Sequence, residues 1–507
     1  MSDDEVYRSL RSTRQLVVID AAAGCGKTYQ AAQYAYDVAA VLNPGRLLIL
    51  THTHAACSVF AERVHGLQGR VEIRTIDGLI CQIATAYHIA LNLPRDPSIW
   101  ARAIPGGFAL LADKVVSLLG AAPFIARALS SRYPVIVCDE HQDSSPSQHA
   151  IVMSLHAAGS KIRVFGDPMQ RIFRSKKLRE KAAQDRHWPD LIASADEMKK
   201  LHTPHRWRSG SQSLGEWILE ARDCLEQGGV VNLQGRHPAG LKVIFANNQA
   251  RSRSGYQLKS RDRAPIDRIV RNSQSLMVLS SQNESVRSLR AFFYRQLPIW
   301  EGHTRDALEQ LVVDIKSGSG DPRLMAEALL AFMADTSRGF SISSHGSILL
   351  SEVTDRCSKK RSGKPAAVQR MAKILLDRPD HVGVSQVLRL LHEMISGEPG
   401  FQDVKIDLHR EFWEAIKLGD FVDLDAGLAE LTRRRTYLRP KPQEQTISTV
   451  HKAKGLESHS VMVVPCDQDH FGDSDGHRCL LYVALSRACS SLTLVVPLDR
   501  PSPLLKL

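Results

Sequence analysis

Unbroken apolar runs and apolar residues spaced three or four apart divide this chain between two kinds of structure. Val17-Val18-Ile19, Val135-Ile136-Val137-Cys138 and Leu276-Met277-Val278-Leu279 are short continuous runs, the pattern of strands buried on both faces of a sheet. The third run reads as the first strand of a second sheet. Between residues 300 and 440 the rhythm changes. Ala307, Leu308, Leu311 and Val312, then Val368, Met371, Ile374 and Leu375, then Val387, Leu390, Leu391 and Met394 predict amphipathic helices. Glycine-containing stretches at 317–320 and 397–400 punctuate them. The lysines and arginine of 359–364 predict a basic, mobile loop, and Arg433-Arg434-Arg435 a helix end, where cations complement the helix dipole as readily as they contact an anionic partner. A basic stretch at 251–271 reads as a solvated strand edge or loop. No internal repeat and no long low-complexity segment is present.

The segments just beyond the first two runs carry chemistry. After Ile19 comes Ala21-Ala22-Ala23-Gly24-Cys25-Gly26-Lys27-Thr28. Gly24 and Gly26 permit a backbone path that turns successive N–H groups toward phosphate oxygens. Lys27 supplies a point charge for terminal phosphates and Thr28 a hydroxyl for magnesium. The helix that begins there, through Gln30 and Ala35, presents its positive end to an anion. A chance Gly-Lys-Thr in a turn would lack the strand before it and the helix after it. The second run ends in Asp139-Glu140-His141-Gln142-Asp143. Alone, that is a solvated acidic turn as readily as a site. Beside a phosphate loop it is what hydrolysis of magnesium-ATP needs: Asp139 to hold Mg2+ and Glu140 to orient and deprotonate the attacking water.

Composition sharpens this only slightly. With 507 residues the chain is long enough for several domains. Lys plus Arg number 66 against 54 Asp plus Glu, a net +12 that suits a partner with a phosphate backbone. Residues 1–14 have the mixed charge of a chain without a signal peptide, and no apolar run is long enough to span a bilayer. The nine cysteines, odd in number and scattered, point to a reducing cytoplasm rather than a disulfide framework. Cys466, His470, His477 and Cys479 have a spacing that fits no common zinc finger.

With these motifs in hand, the chain resembles the superfamily 1A helicases, the group of UvrD, Rep and PcrA. Further segments carry the resemblance in order: Leu50-Thr51-His52-Thr53-His54-Ala55-Ala56, Thr75-Ile76-Asp77-Gly78-Leu79, Val164-Phe165-Gly166-Asp167-Pro168-Met169-Gln170, Leu201 to Arg206, Thr449-Val450-His451-Lys452-Ala453-Lys454-Gly455-Leu456-Glu457, and Tyr482-Val483-Ala484-Leu485-Ser486-Arg487-Ala488. The resemblance implies that Gln170 senses the γ-phosphate, that Arg206 and Arg487 bring positive charge to it, and that Glu457 meets the nucleotide sugar. It also implies that Thr51, His54, Thr75, Asp77, Phe173 and His451 meet DNA.

The expected fold is α/β, with two RecA-like P-loop domains carrying helical insertions. Residues 1–85 and 131–200 would form the first motor domain and 86–130 a small insertion. Residues 201–299 and 441–507 would form the second motor domain and 300–440 a helical insertion. The implied function is an ATP-dependent DNA translocase or helicase of 3′→5′ polarity acting on single-stranded or partly duplex DNA, with ATP and Mg2+ as cofactors and no membrane partner.

Several positions depart from the pattern. Asp77 stands where the family usually has His, His205 where it has Tyr, and Ala21 where the phosphate loop usually begins with Gly. Gln15 lies too near the first strand for the family's adenine-recognising Gln, which leaves nucleobase selectivity open. After Phe173 come Arg174 and Ser175, where the family places a second stacking aromatic. These losses suit a second reading, a DNA-sensing nucleotide switch with little unwinding of its own. The chain ends soon after Arg487 without a nuclease segment, and its compact size resembles the helicase-like subunit of Gabija-type anti-phage defence, which acts with a nuclease partner. A third reading, a DNA-binding protein with a dead ATP site, conflicts with the intact Lys27, Asp139, Glu140, Gln170 and Arg487.

Overall fold

The continuous apolar runs form parallel strands. The computed structural model describes residues 3–67, 69–104, 106–174, 178–249, 255–301, 305–437 and 442–507. The first sheet contains β1 (Leu16–Ala21), β2 (Leu47–Thr51), β3 (Val71–Thr75), β4 (Val135–Cys138), β5 (Lys161–Gly166) and β6 (Glu197–Leu201), in the order β3-β2-β4-β5-β1-β6. All its pairings are parallel. Every residue of β1, β2 and β4 is buried, as a parallel sheet covered by helices on both faces requires. The C-terminal ends of the neighbouring strands β4, β5 and β1 therefore come together at one edge, where such sheets bind ligands.

A short strand β7 (Val231–Asn232) pairs with β15 (Leu505–Lys506). The second sheet proper holds β8 (Leu241–Phe245), β9 (Leu276–Ser280), β12 (Gln445–Thr449), β13 (Ser458–Val463) and β14 (Ala488–Val496), in the order β12-β9-β13-β14-β8 and again parallel. Leu276–Leu279 is thus not the first strand of this sheet, as its apolar run suggested. β8 precedes it, at the sheet's edge, where Lys242 interrupts the apolar residues and only Leu241 and Ile244 are buried. The basic stretch is also corrected. Ser260–Asn272 is a helix that buries Ile266 and Val270, while residues 250–254 lie outside the described residues.

Among the described residues, 86–130 have no core of their own. Leu111, Ala112, Val115, Leu119, Ile125 and Ala126 join Leu48, Ile136 and Val164 in one apolar cluster on the first sheet. Both sheets belong to one compact unit, residues 1–297 with 442–507, and residues 298–441 form another. Among the described residues, the named elements of that second unit are helices apart from the pair β10 (Ser337–Arg338) and β11 (Lys405–Ile406). Its core contains the periodic residues Leu308, Leu311, Val312, Val368, Met371, Leu375, Val387, Leu391 and Met394. The basic loop at 359–364 is held rather than free: Arg361 pairs with Glu352 at 2.6 Å and Lys364 Nζ donates to Ser344 at 2.7 Å. Arg433–Arg435 fall within the helix Leu424–Tyr437, but their side chains lie outside the described residues. Among the described residues no single helix is long and apolar enough to cross a membrane.

Candidate functional site

The loop after β1 bends as its glycines allow. Gly24 and Gly26 have φ of +73° and +87°, a left-handed backbone that side chains disfavour. A Cβ on Gly24 would lie 2.8 Å from Arg206 Cβ, and one on Gly26 would lie 3.1 Å from the His205 ring. The loop is therefore roofed by residues 205–207 of the second sheet's leading segment. Ala21, Ala22, Ala23 and Cys25 are buried beneath it, and Lys27 and Thr28 open the helix Lys27–Val41. Ala21 ends β1 in register with Leu201, a position where a methyl group fits. Gln15 sits at the opposite end of β1, its N–H donating to Asp196.

The acidic pair lies across from this loop. Lys27 Nζ forms an ion pair with Glu140 Oε1, and Gln142 Nε2 donates to Glu140 Oε2 at 2.6 Å. Glu140 occupies the left-handed region at φ +52°, a strained conformation for a non-glycine residue and one common at functional sites. Burial raises the Glu140 carboxyl, but Lys27 and then Lys454 outweigh it and hold it at about 2. For Lys27, burial opposes the charge, and Glu140 and Asp139 restore it and raise the ammonium above its ordinary range. Asp139 is 5% exposed. Burial, only partly offset by Lys27, pushes it up to about 7. Its Oδ1 has no hydrogen-bond partner. A buried, unpaired carboxylate oxygen among Lys27, Glu140 and Asp143 is a donor that a hard divalent cation selects, so Asp139 fits Mg2+, and the Thr28 hydroxyl of the phosphate loop is a second oxygen donor of the kind Mg2+ takes.

A buried polar relay joins this centre to the second sheet. The Ala23 N–H donates to Tyr482 Oη at 2.8 Å, and Tyr482 donates to Asp167 Oδ2 at 3.1 Å. Gln170 Nε2 donates to the same oxygen at 2.9 Å, and Gln170 Oε1 accepts from Arg487 at 3.4 Å. Arg487 also donates to the carbonyls of Val483 and Leu456, each at 3.0 Å. Burial, reinforced by the Arg206 charge, lowers its guanidinium to about 10. Arg206 pairs with Glu457 at 2.7 Å and donates to the Ser486 carbonyl at 2.6 Å. Its own N–H donates to the Gly24 carbonyl at 3.0 Å. Lys27, Glu140, Gln170, Arg206, Arg487 and Glu457 are thus linked into one network that includes the phosphate loop.

Sequence reasoning missed the relay's supports. Arg222, fully buried, binds Asp167 at 3.0 Å and Asp20 at 2.8 Å. Its position one turn beyond Ile218 on the buried face of the helix Gln212–Glu226 was a legible signal, since an arginine on an apolar face must be paired. Tyr482 and Asp167 stood inside quoted segments without a role. Lys454 pairs with Asp143, donates to the Gln170 carbonyl at 2.7 Å, and lies 5.3 Å from the Phe173 ring centre.

The residues read as DNA contacts are less uniform. Thr51 is buried, and its hydroxyl donates to the Thr53 carbonyl at 2.9 Å. Thr75 is also buried, and its hydroxyl caps the following helix at Gly78. Asp77 accepts from Gln148 at 2.8 Å. His54 is exposed at the start of the helix His54–Arg63. Phe173 is 54% exposed and lies 5.9 Å from the His451 ring, so these two and Lys454 form one aromatic and cationic surface.

A strand-borne phosphate loop, an acidic pair on the neighbouring sheet region, and arginines supplied by a second parallel sheet define a P-loop ATPase of two RecA-like sheets. The family comparisons are specific about which one. Residues 105–179 match the UvrD/REP helicase N-terminal domain and residues 445–495 match the UvrD-like helicase C-terminal domain. Both matches are to UvrD/Rep-like superfamily 1 helicases, and they support an enzyme of the DNA helicase and ATPase class. No individual curated protein matches it.

Proposed function

We propose that this chain is an ATP-driven translocase on single-stranded DNA that unwinds partly duplex DNA with 3′→5′ polarity. Residues 1–85 with 131–200 and residues 201–299 with 441–507 are its two motor domains, and 86–130 and 300–440 its insertions. The observation that carries the reading is the unbroken relay from Ala23 through Tyr482, Asp167 and Gln170 to Arg487. It ties the phosphate loop to the second sheet, so a change at the γ-phosphate is felt on both sides of the nucleotide site.

Residues 21–28 hold the phosphates of ATP, with Lys27 as point charge. Glu457 meets the sugar. Asp139 and Thr28 hold Mg2+, which when bound neutralises phosphate charge. Glu140 holds the attacking water as its base. Gln170, Arg206 and Arg487 place donors and charge where the transition state gains negative charge, the main source of rate in phosphoryl transfer. Lys27 and Arg206 exchange Glu140 and Glu457 for phosphate oxygens when nucleotide enters. Phe173 and His451 stack on or flank a base, with Lys454 beside them. Thr51, His54, Thr75 and Asp77 line the same path, Thr51 and Thr75 by shaping its turns.

A strand-displacement assay on duplexes with a 3′ or a 5′ single-stranded tail tests the reading. ATP-dependent displacement from the 3′ tail alone is expected, and displacement from the 5′ tail alone contradicts it.

A second reading is favoured by one observation: among the described residues, the apolar side chains of 86–130 pack into the cluster on the first sheet. In it the chain is a cytoplasmic DNA-sensing switch that controls a nuclease partner in anti-phage defence. ATP turnover would then answer to DNA without displacing a strand.

A further inference from the structure

Three histidines from separate segments converge behind the acidic turn. His141 lies in the 3-10 turn His141–Asp143, His149 in the helix Pro146–Ala157, and His187 in the helix Leu178–Ser194. One ring nitrogen from each can be chosen so that all three lie within 4.8 Å of one another. His141 Nε2 and His149 Nδ1 are 3.1 Å apart, inside the separation of about 3.0–3.4 Å that two imidazoles take on one zinc-sized ion with bonds of about 2.0–2.1 Å. His187 is 6% exposed, and its Nε2 has no hydrogen-bond partner. A buried polar atom without a partner in native structure calls for a ligand.

The surroundings fit the same chemistry. The other nitrogen of His141, Nδ1, is 3.1 Å from Ser144 Oγ, which in turn lies 3.1 Å from His52 Nε2. This fixes the ring as outer partners do around metal-bound imidazoles. The rings meet edge-on or tilted, with centroids 4.3–5.4 Å apart. Among the described residues no other cluster of three histidine, cysteine or acidic side chains converges this way.

We propose that His141, His149 and His187 bind one divalent transition-metal ion of the zinc class, a site separate from the magnesium site of the nucleotide. The three imidazoles select zinc, cobalt or nickel over magnesium and calcium, which prefer oxygen. The ion fastens two helices to the turn that carries Glu140. It is a structural staple beside the proposed catalytic base and takes no part in hydrolysis.

The test is a cobalt titration of metal-stripped wild-type protein, with excess magnesium present, followed by zinc competition and metal analysis after gel filtration. Expected are visible ligand-field bands of nitrogen-ligated cobalt, their loss on adding zinc, about one retained zinc per chain, and a thermal midpoint raised by zinc. The His149→Gln/His187→Gln double variant should lose bands, retained zinc and thermal shift together. Should that variant not fold, His187→Phe, which keeps a ring in the site, gives the same reading. Absence of bands in the wild type, or equal bands in a folded variant, overturns the proposal. Neither result touches the ATPase reading, which rests on other residues.

Discussion

Single side chains decide how the nucleotide centre holds together. Tyr482 is the clearest case, because one hydroxyl accepts from the Ala23 N–H and donates to Asp167. Tyr482→Phe keeps the ring and removes both bonds. It should lower ATP turnover about tenfold while costing only about 1 kcal/mol of stability, measured by steady-state hydrolysis beside thermal unfolding. Unchanged turnover would show that the relay does not transmit anything. Arg487 is a second case. Its fork contacts two carbonyls and Gln170 at once, and lysine cannot reproduce a planar fork. Arg487→Lys should reduce kcat at least about a hundredfold, since an arginine in this role supplies about 10³–10⁵ in rate. Near-normal kcat in the lysine variant would remove the residue from the chemistry. Asp20 gives a pH signature. Burial raises its carboxyl from 3.8 to about 7 despite Arg222. A folded value above the unfolded one means that its contribution to stability is complete below 3.8 and lost as pH rises through about 7. Asp20→Asn cannot ionise, so the fall in unfolding midpoint across that window should flatten. An unaltered slope would exclude Asp20 as its source.

At the scale of elements, the legible features of the sequence were those that repeat or run unbroken. The runs at 17–19 and 135–138 gave β1 and β4, and the glycines at 24 and 26 gave the loop, because an all-apolar strand buried on both faces leaves a continuous mark. β8 escaped because Lys242 interrupts its apolar residues and its edge position buries only Leu241 and Ile244. The helix Ser260–Asn272 escaped because its charged face outweighs two buried residues, Ile266 and Val270. Among site residues, those in sequence-local motifs were named. Arg222 and Tyr482 act across the fold, over separations of 55 and 315 residues to Asp167, and no local pattern reports such pairings. The roof over the phosphate loop is likewise long-range. Gly26→Ala would place a methyl group 3.1 Å from the His205 ring on a left-handed backbone. ATP affinity should fall by an order of magnitude or more while the sheets stay folded, read as nucleotide binding beside circular dichroism. Wild-type affinity would mean that the roof yields freely.

Across the whole molecule, the candidate nucleotide centre and the exposed ring of Phe173 lie within the unit that holds both sheets. Phe173 lies next to Lys454, which reaches Asp143 and the Gln170 carbonyl, so a single residue separates the exposed ring from Gln170, and in the proposed reading this joins a base-stacking side chain to the γ-phosphate sensor. Stacking of one base contributes about 1–3 kcal/mol. Phe173→Ala should therefore weaken single-stranded DNA binding about five- to a hundredfold, with basal ATP turnover unchanged. Equal DNA affinity in the variant would move the DNA path elsewhere. The net charge of +12 adds a steep decline of DNA affinity with salt. The central claim is that hydrolysis at Glu140 is driven by DNA. Its most direct test is ATP hydrolysis by the purified protein with and without single-stranded DNA, beside Glu140→Gln. Strong stimulation by DNA is predicted, with loss of about 10²–10⁴ in rate in the variant. Turnover indifferent to DNA, or a Glu140→Gln variant that hydrolyses ATP as fast as the wild type, would contradict it.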